Sequence, residues 1–526
     1  MSEPLLKVCN LDVSFRSRGG ETHAVRNVSF DVGVGEIIGI VGESGSGKSV
    51  SCRAILGLLP ESASVSGRIE YSDQNLLGLD TEGLRRIRGR DVSMVFQNPA
   101  SHLDPLMAIG AQVSEPLIHH QDASPTQALD AAIERLREVQ LEHPEQRVNS
   151  YPHELSGGMK QRVMIAAAIA CGPGLLLADE PTTALDVTVQ ARILELLKSL
   201  NEQHHLSVVL VSHDLAVVAQ VCDRVLVMRH GEIVESGDTK QVIYSPQHPY
   251  TQQLIESQPS RMTIRPPVAT DTDTLLDVSN IDVEFASPGG GTMRALNDVS
   301  LILRQGESLG VVGESGSGKS TLARVVMGLV KPKSGDVKLR GQSILQKRNR
   351  LDLSVCRKVQ MVFQNPYDSL NPRYSVYETI AEPLERHKLV PATKLDERVA
   401  ELMGLVELDS SLASRKPAQL SGGQCQRVGI ARALAMDPEL LIADEITSAL
   451  DVTIQAQIIA LLNRLREERG LSVIFISHDL TLVRSFCDQV VVFQSGRIVE
   501  SGAVSGVLEQ PQKSYTQELL LSVPTL

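Results

Sequence analysis

Apolar residues in this chain gather in short, nearly continuous runs, and the runs recur in the same order in its two halves. IIGIVG at 37–42 and SLGVVG at 308–313 carry almost no polar position, the pattern of strands buried on both faces. LLLADE, ending at Glu180, and LLIADE, ending at Glu445, repeat it, as do VVLVSHD at 208–214 and VIFISHD at 473–479. Between the last two kinds of run the period changes. Ile193, Leu196, Leu197 and Leu200, matched by Ile458, Leu461, Leu462 and Leu465, predict an amphipathic helix. Leu5 to Phe15 and Thr274 to Phe285 read as opening strands, and the stretches near 100–155 and 367–420, rich in helix formers and turns, predict an inserted helical subdomain. Strands alternating with helices place each half in the α/β class, around a mostly parallel sheet with covered faces.

The repetition is a duplication of a whole domain. Lys48 and Lys319 lie 271 residues apart, Gln97 and Gln364 267, and the pairs Ser156/Ser421, Asp179/Asp444 and His213/His478 each 265. The expected organisation is a first domain at 1–256, a linker at 257–274 that is polar, carries three prolines and lacks periodicity, and a second domain at 275–526. A net charge of −12 argues against nucleic acid as the main partner, since phosphate neutralisation needs a basic face. The seven cysteines form no C-x-x-C pair, so no zinc or iron-sulfur pattern is written and reduced thiols are expected. The opening MSEPLLKV lacks the features of a signal peptide. The longest apolar stretch, Met164 to Ala178, is broken by Gly172, Pro173 and Gly174 and falls short of a bilayer span; any membrane crossing is expected from other chains.

The chemistry begins where the first buried strand ends. VGESGSGKS closes at Ser49 and again at Ser320, matching the phosphate-loop pattern in its strand-to-helix context. The candidate nucleotide set is Gly42, Ser44, Gly45, Ser46, Gly47, Lys48 and Ser49, repeated as Gly313, Ser315, Gly316, Ser317, Gly318, Lys319 and Ser320 with Thr321. Glycine amides cradle the phosphates, the lysine adds positive charge, and the serine hydroxyl serves magnesium. Asp179 with Glu180, and Asp444 with Glu445, close an apolar run. Strand neighbours point opposite ways, so the aspartate is expected in the Mg2+ shell and the glutamate at the attacking water.

LSGGMKQR at 155–162 and LSGGQCQR at 420–427 come between the loop and the acidic run, each at the head of a helical apolar stretch. In this order the pattern resembles the signature of ATP-binding cassette (ABC) ATPases. That resemblance implies two tandem P-loop nucleotide-binding domains, with the helix starts at Ser156, Gly157, Gly158 and at Ser421, Gly422, Gly423 each meeting the ATP of the opposite cassette. It also implies roles for Gln97 and Gln364 of VFQNP as Q-loop residues reaching magnesium, water and the membrane partner. His213 and His478 of SHDL become switch histidines for the γ-phosphate, and Ala184-Leu185-Asp186 and Ala449-Leu450-Asp451 become D-loops. Phe15 and Phe285 fall where the adenine-stacking aromatic stands; a core position is the alternative for both.

The resemblance covers almost the whole chain and narrows to the peptide and nickel importers. VFQNPASHLDP with SEPL, VFQNPYDSLNP with AEPL, and the tails SPQHPYTQQLI and QPQKSYTQELL carry it. The first half resembles the D-type subunit and the second the F-type, as in the fused ATPases of dipeptide, oligopeptide, microcin C and glutathione importers. Three departures stand out: Ile446 replaces the Pro181 of the first copy, Ala167 replaces the Arg432 of the second, and the cysteine-rich tail of some relatives is missing after Tyr250. The resemblance implies an ATPase with ATP and Mg2+ as its only cofactors. It would sit peripherally on the cytoplasmic face of the bacterial inner membrane, dock on two transmembrane permease subunits, and meet a solute-binding protein only through them. The rivals are a soluble twin-cassette translation or ribosome-associated ATPase, which would place a long charged helical linker between cassettes or a cysteine cluster at the N-terminus, and a DNA-repair ATPase, which would need zinc cysteines.

Overall fold

The computed structural model describes residues 3–17, 20–183, 185–258, 273–286, 291–345, 353–448 and 450–524. Most of the expected linker, and Ala184 and Ala449 of the expected D-loops, lie outside these residues. The chain divides into two compact units, one built by residues up to Leu185 with Val189–Ser257, the other by Gln258–Val523.

Each unit holds two sheets. In the first, strands Gly20–Val32, Leu6–Ser17, Ala63–Tyr71 and Gln74–Asn75 pair antiparallel in that order. The larger sheet runs Glu232–Asp238, Arg224–Arg229, Ile37–Val41, Ser207–Ser212, Leu175–Asp179, Val92–Val95. Its pairs are parallel except for the edge hairpin of Glu232–Asp238 on Arg224–Arg229. The second unit repeats both sheets. Its larger one is ordered Val359–Val362, Leu440–Asp444, Ser472–Ile476, Ser308–Val312, Gln489–Gln494, Arg497–Ala503.

Alternation along the central strands explains why their sequences read as continuous apolar runs. Ile38, Ile40, Leu175 and Leu177 face the antiparallel sheet and pack with Leu6, Val8 and Ile55. Ile37, Val41, Leu176 and Ala178 face the other way, onto Ile193, Leu196 and Leu197 and onto the inserted helices through Ile109, Val113 and Leu136. A strand covered on both sides favours apolar side chains at every position and admits few polar ones. The expected helical insertion is present: Ile109–Gln121 and Pro125–Glu138 in the first unit, Val376–Arg386 and Leu395–Leu405 in the second. The predicted amphipathic helices are Val187–His204 and Val452–Arg469.

The expected alternation of the acidic pair fails. The strands end at Asp179 and Asp444, and the next residues, Glu180 and Glu445, turn to φ 47° and 49°. A left-handed kink, which costs of order 1–3 kcal/mol for a residue of this kind, separates the two carboxylates instead of the pleat.

The start of each phosphate-loop strand is pinned by an aspartate at the head of the neighbouring strand. Asp223 Oδ2 accepts from Ile37 N at 3.0 Å. Asp488 Oδ2 accepts from Ser308 N and Ser308 Oγ at 2.8 Å each and also binds the buried Arg466 guanidinium. Asn201, the counterpart of Arg466, donates to Gly35 O and Leu206 O. Replacing Asp488 by Ala therefore strands a buried cation and should cost about 3–5 kcal/mol, whereas Asp223→Ala removes one acceptor and should cost about 1–3 kcal/mol. Calorimetric unfolding of the two variants checks this; equal losses would show that the ion pair adds nothing to the hydrogen bond.

Candidate nucleotide sites

Each site starts from a backbone that only glycine can follow. Gly42 has φ 150° and a Cβ there would lie 2.2 Å from Met228 O; Gly47 has φ 103°, and its Cβ would lie 2.6 Å from Ala24 O. Gly313 and Gly318 repeat both clashes, at 2.2 Å from Phe493 O and 2.7 Å from Ala295 O. Gly47 caps the helix Lys48–Ile55, and Gly318 the helix Lys319–Val326, with no side chain bonded to the cap. The first-turn N–H groups are thus left to an anion. Ser44 and Gly45 form a rim above the buried Ser46, Gly47 and Lys48.

The loop lysine is folded back on its own loop. Lys48 Nζ donates to Gly42 O at 2.7 Å and Glu43 O at 2.9 Å, and Lys319 Nζ to Gly313 O at 2.7 Å and Glu314 O at 2.8 Å. Burial pushes the Lys319 ammonium below the usual lysine range. Beside each lysine the loop serine donates to the strand-end aspartate: Ser49 Oγ to Asp179 Oδ1 at 2.6 Å, Ser320 Oγ to Asp444 Oδ1 at 3.3 Å. Burial raises the pKa of both aspartates, with the serine hydrogen bonds opposing.

A second cluster forms past the kink. Glu180 Oε2 accepts from Gln97 Nε2 at 2.8 Å and Thr183 Oγ1 at 2.8 Å, with His213 Nδ1 at 3.3 Å. Burial raises the Glu180 pKa, but the histidine, the threonine and the charge of Lys48 outweigh it and hold the carboxyl at about 2. In the second unit Gln364 Nε2 donates to Glu445 Oε2 at 2.6 Å and His478 Nδ1 stands 3.9 Å away. Ser448, in the place of Thr183, donates to the Glu445 backbone carbonyl instead.

The structure therefore brings together the loop, aspartate, glutamate, glutamine and histidine of each half. Ser156 and Ser421 cap their own helices, accepting from Met159 N and Gln424 N at 3.3 Å. The second also completes a capping box, because the Gln424 side chain accepts from Ser421 N. Gly158 and Gly423 are dictated by packing: a Cβ would meet Val189 Cγ1 at 2.5 Å or Ile454 Cγ2 at 2.7 Å. Phe15 is half-buried against the core and Phe285 is 38% exposed. Arg432 donates to Ser369 O at 2.8 Å, tying the segment after the second Q-loop to the signature helix, a bond that Ala167 cannot make. Sequence reasoning missed Thr183 and Arg53, which approaches Asp179 Oδ2 at 3.7 Å; both belong to helix or turn positions without a motif signal.

ATP and Mg2+ fit these residues. Ser46 Oγ, Ser317 Oγ and Asp179 Oδ2 are buried without a hydrogen-bond partner, capacity that a polar ligand satisfies. Residues 25–183 and again 296–448 match the ABC transporter family, and 234–273 match the C-terminal region of oligopeptide/dipeptide transporters. The chain belongs to the ABC transporter family as an ATP-hydrolysing subunit. It is 43% identical over 530 residues to the peptidoglycan transport ATP-binding protein YejF of Agrobacterium fabrum, spanning 99% of this chain and 96% of that protein. It is 41% identical over 557 residues to the glutathione import ATP-binding protein GsiA of Pectobacterium atrosepticum and 40% over 562 residues to GsiA of Escherichia coli, with 99% of this chain and 89% of each covered.

The asymmetry at the glutamates is testable. Thr183→Val removes a donor that both fixes the Glu180 carboxylate in place and holds its pKa down; loss of the fixed geometry outweighs the gain in basicity, and turnover at the first site should fall about 3- to 10-fold. Ser448→Ala, which loses a bond to a carbonyl and none to the carboxylate, should change turnover less than about 2-fold. Steady-state ATPase assays decide, and equal losses would remove the distinction.

Proposed function

We propose that this chain energises the import of a peptide or peptide-like solute, docking on two permease chains at the cytoplasmic face of the membrane. The observation that carries the reading is the duplicated cluster in which a glutamate, a glutamine and a histidine meet beside a phosphate loop. Relatives named for peptidoglycan transport and glutathione import supply the solute class. The ribosome-associated alternative gains no support from them. No helix among the described residues is long and apolar enough to cross a membrane, so the reading assigns the crossing to the permeases.

The geometry of the loop suggests how the site would be switched on. Incoming phosphates draw Lys48 and Lys319 from the loop carbonyls and bind the loop amides; Ser49, Gln97 and Asp179, or Ser320, Gln364 and Asp444, would hold Mg2+, which neutralises phosphate charge. Glu180, held at about pKa 2 by its donors, is a poor base in that setting. When His213 turns to the γ-phosphate, Glu180 loses that donor, and its burial favours taking a proton from water. The family resemblance further assigns Ser421, Gly422 and Gly423 to the ATP of Lys48, and Ser156, Gly157 and Gly158 to that of Lys319, with Phe15 and Phe285 at the adenines.

Both sites are intact in residue type, so both are expected to turn over. Glu180→Gln and Glu445→Gln keep shape but remove the base, and each should lower ATPase turnover more than about tenfold. Near-normal hydrolysis in Glu445→Gln would make the second site regulatory. Affinity purification from detergent-solubilised membranes should recover two polytopic chains; recovery of ribosomal subunits without them would overturn the importer reading.

A further inference from the structure

The tails of the two halves, which end in PYTQQLI and SYTQELL, return to the phosphate loops. Tyr250, on the helix Pro249–Glu256, places its hydroxyl where it accepts from Glu43 N at 3.1 Å. Tyr515, at the start of the helix Ser514–Leu521, accepts from Glu314 N at 3.3 Å. Each contact joins residues more than 200 positions apart.

The residue so gripped is the one that holds the lysine. Glu43 O accepts from Lys48 Nζ and from Ser46 N at 3.1 Å, and Glu314 O accepts from Lys319 Nζ and from Ser317 N at 3.1 Å. Fixing the N–H at one end of the Glu43 residue restrains the carbonyl at the other, and with it the turn that presents the loop amides. The tail has its own anchor. Glu235, on the edge strand, accepts from Gln247 N at 2.8 Å and His248 N at 3.0 Å, and Glu500 accepts from Gln512 N and Lys513 N at 2.8 and 3.3 Å. Leu254 and Ile255 bury the rest of the first tail in the core. Arg229 stacks on the Tyr250 ring at 4.6 Å, a cation–π contact for which the second half has Gln494. Burial pushes the Tyr515 phenol up to about 12, so it is neutral at working pH.

We infer that Tyr250 and Tyr515 are positioning residues for nucleotide binding: each clamps the phosphate-loop peptide of its own half from the tail and sets the affinity of that loop for MgATP. The same link is built twice, from tails whose residues just before the tyrosine have diverged to His248-Pro249 and Lys513-Ser514, which a chance contact would not survive. The inference rests on the ATPase reading above and adds a control point that lies outside the nucleotide motifs.

The test is equilibrium binding of MgATP to the full chain, alone and as Tyr250→Phe and Tyr515→Phe, with melting midpoints measured in parallel. Phenylalanine keeps the ring and removes the hydroxyl that accepts from Glu43 N–H or Glu314 N–H. Expected is a Kd raised about 3- to 10-fold at the altered site, with a midpoint within about 2 °C of the parent and little change in single-turnover rate at saturating ATP. An unchanged Kd, with or without a lower midpoint, overturns the inference. If both quantities shift, Leu254→Ala separates them: it loosens the tail without touching the hydroxyl, so an equal fall in midpoint with unaltered Kd leaves the hydroxyl responsible, and an equally raised Kd refutes it. Failure of the unaltered chain to bind MgATP would instead strike the ATPase reading itself.

Discussion

The structure turns on two buried ammonium groups. A lysine almost fully withdrawn from water is costly unless its charge is met by hydrogen bonds, and here two carbonyls of its own loop meet it. That requirement curls the loop into a turn in which a side chain at Gly42 or Gly47, or at Gly313 or Gly318, would strike backbone oxygen, and it leaves the first-turn amides of the following helix to an anion. The central strand, the capless helix and the strand-end aspartate are all placed with respect to that charge. In the proposed cycle phosphate binding exchanges one set of oxygens for a better one, since an anion answers an ammonium more strongly than a carbonyl does.

The second constraint is the kink after the acidic strand. Asp179 belongs to the sheet and stays with the loop serine, while Glu180, turned into the left-handed region, leaves the sheet and meets Gln97, Thr183 and His213. Two adjacent carboxylates thereby occupy different electrostatic settings: burial raises one, and donors lower the other. A site that must keep one carboxylate beside a cation and free the other for water needs that difference.

Duplication allowed the halves to diverge around this shared chemistry. The second unit has the buried Arg466–Asp488 pair beneath its phosphate-loop strand, the Arg432 tether behind its Q-loop and the capping box at its signature helix. The first has Thr183 on its glutamate and Arg229 on its tail tyrosine. The differences surround the candidate site residues without replacing any of them, so the units differ in which contacts hold the same groups.

Much of this was legible in the sequence, because the phosphate loop, the acidic strand and the signature helix are local: each is a few residues whose spacing dictates both backbone and chemistry. The α/β class came from hydrophobic periodicity, and the helical insertion from a local richness in helix formers and turns, for the same reason. The pleat argument for the aspartate and glutamate failed because the strand ends one residue early, and strand ends are set by which neighbour supplies hydrogen bonds. Glu180 N bonds Val211 O of the adjacent strand, a partner that no local pattern names. Thr183 on Glu180 and Tyr250 on Glu43 were invisible for a related reason. A hydroxyl becomes a positioning group only when the fold carries it to its partner, and it was the packing of the tail helices beside the sheet that brought the tyrosines to the loops.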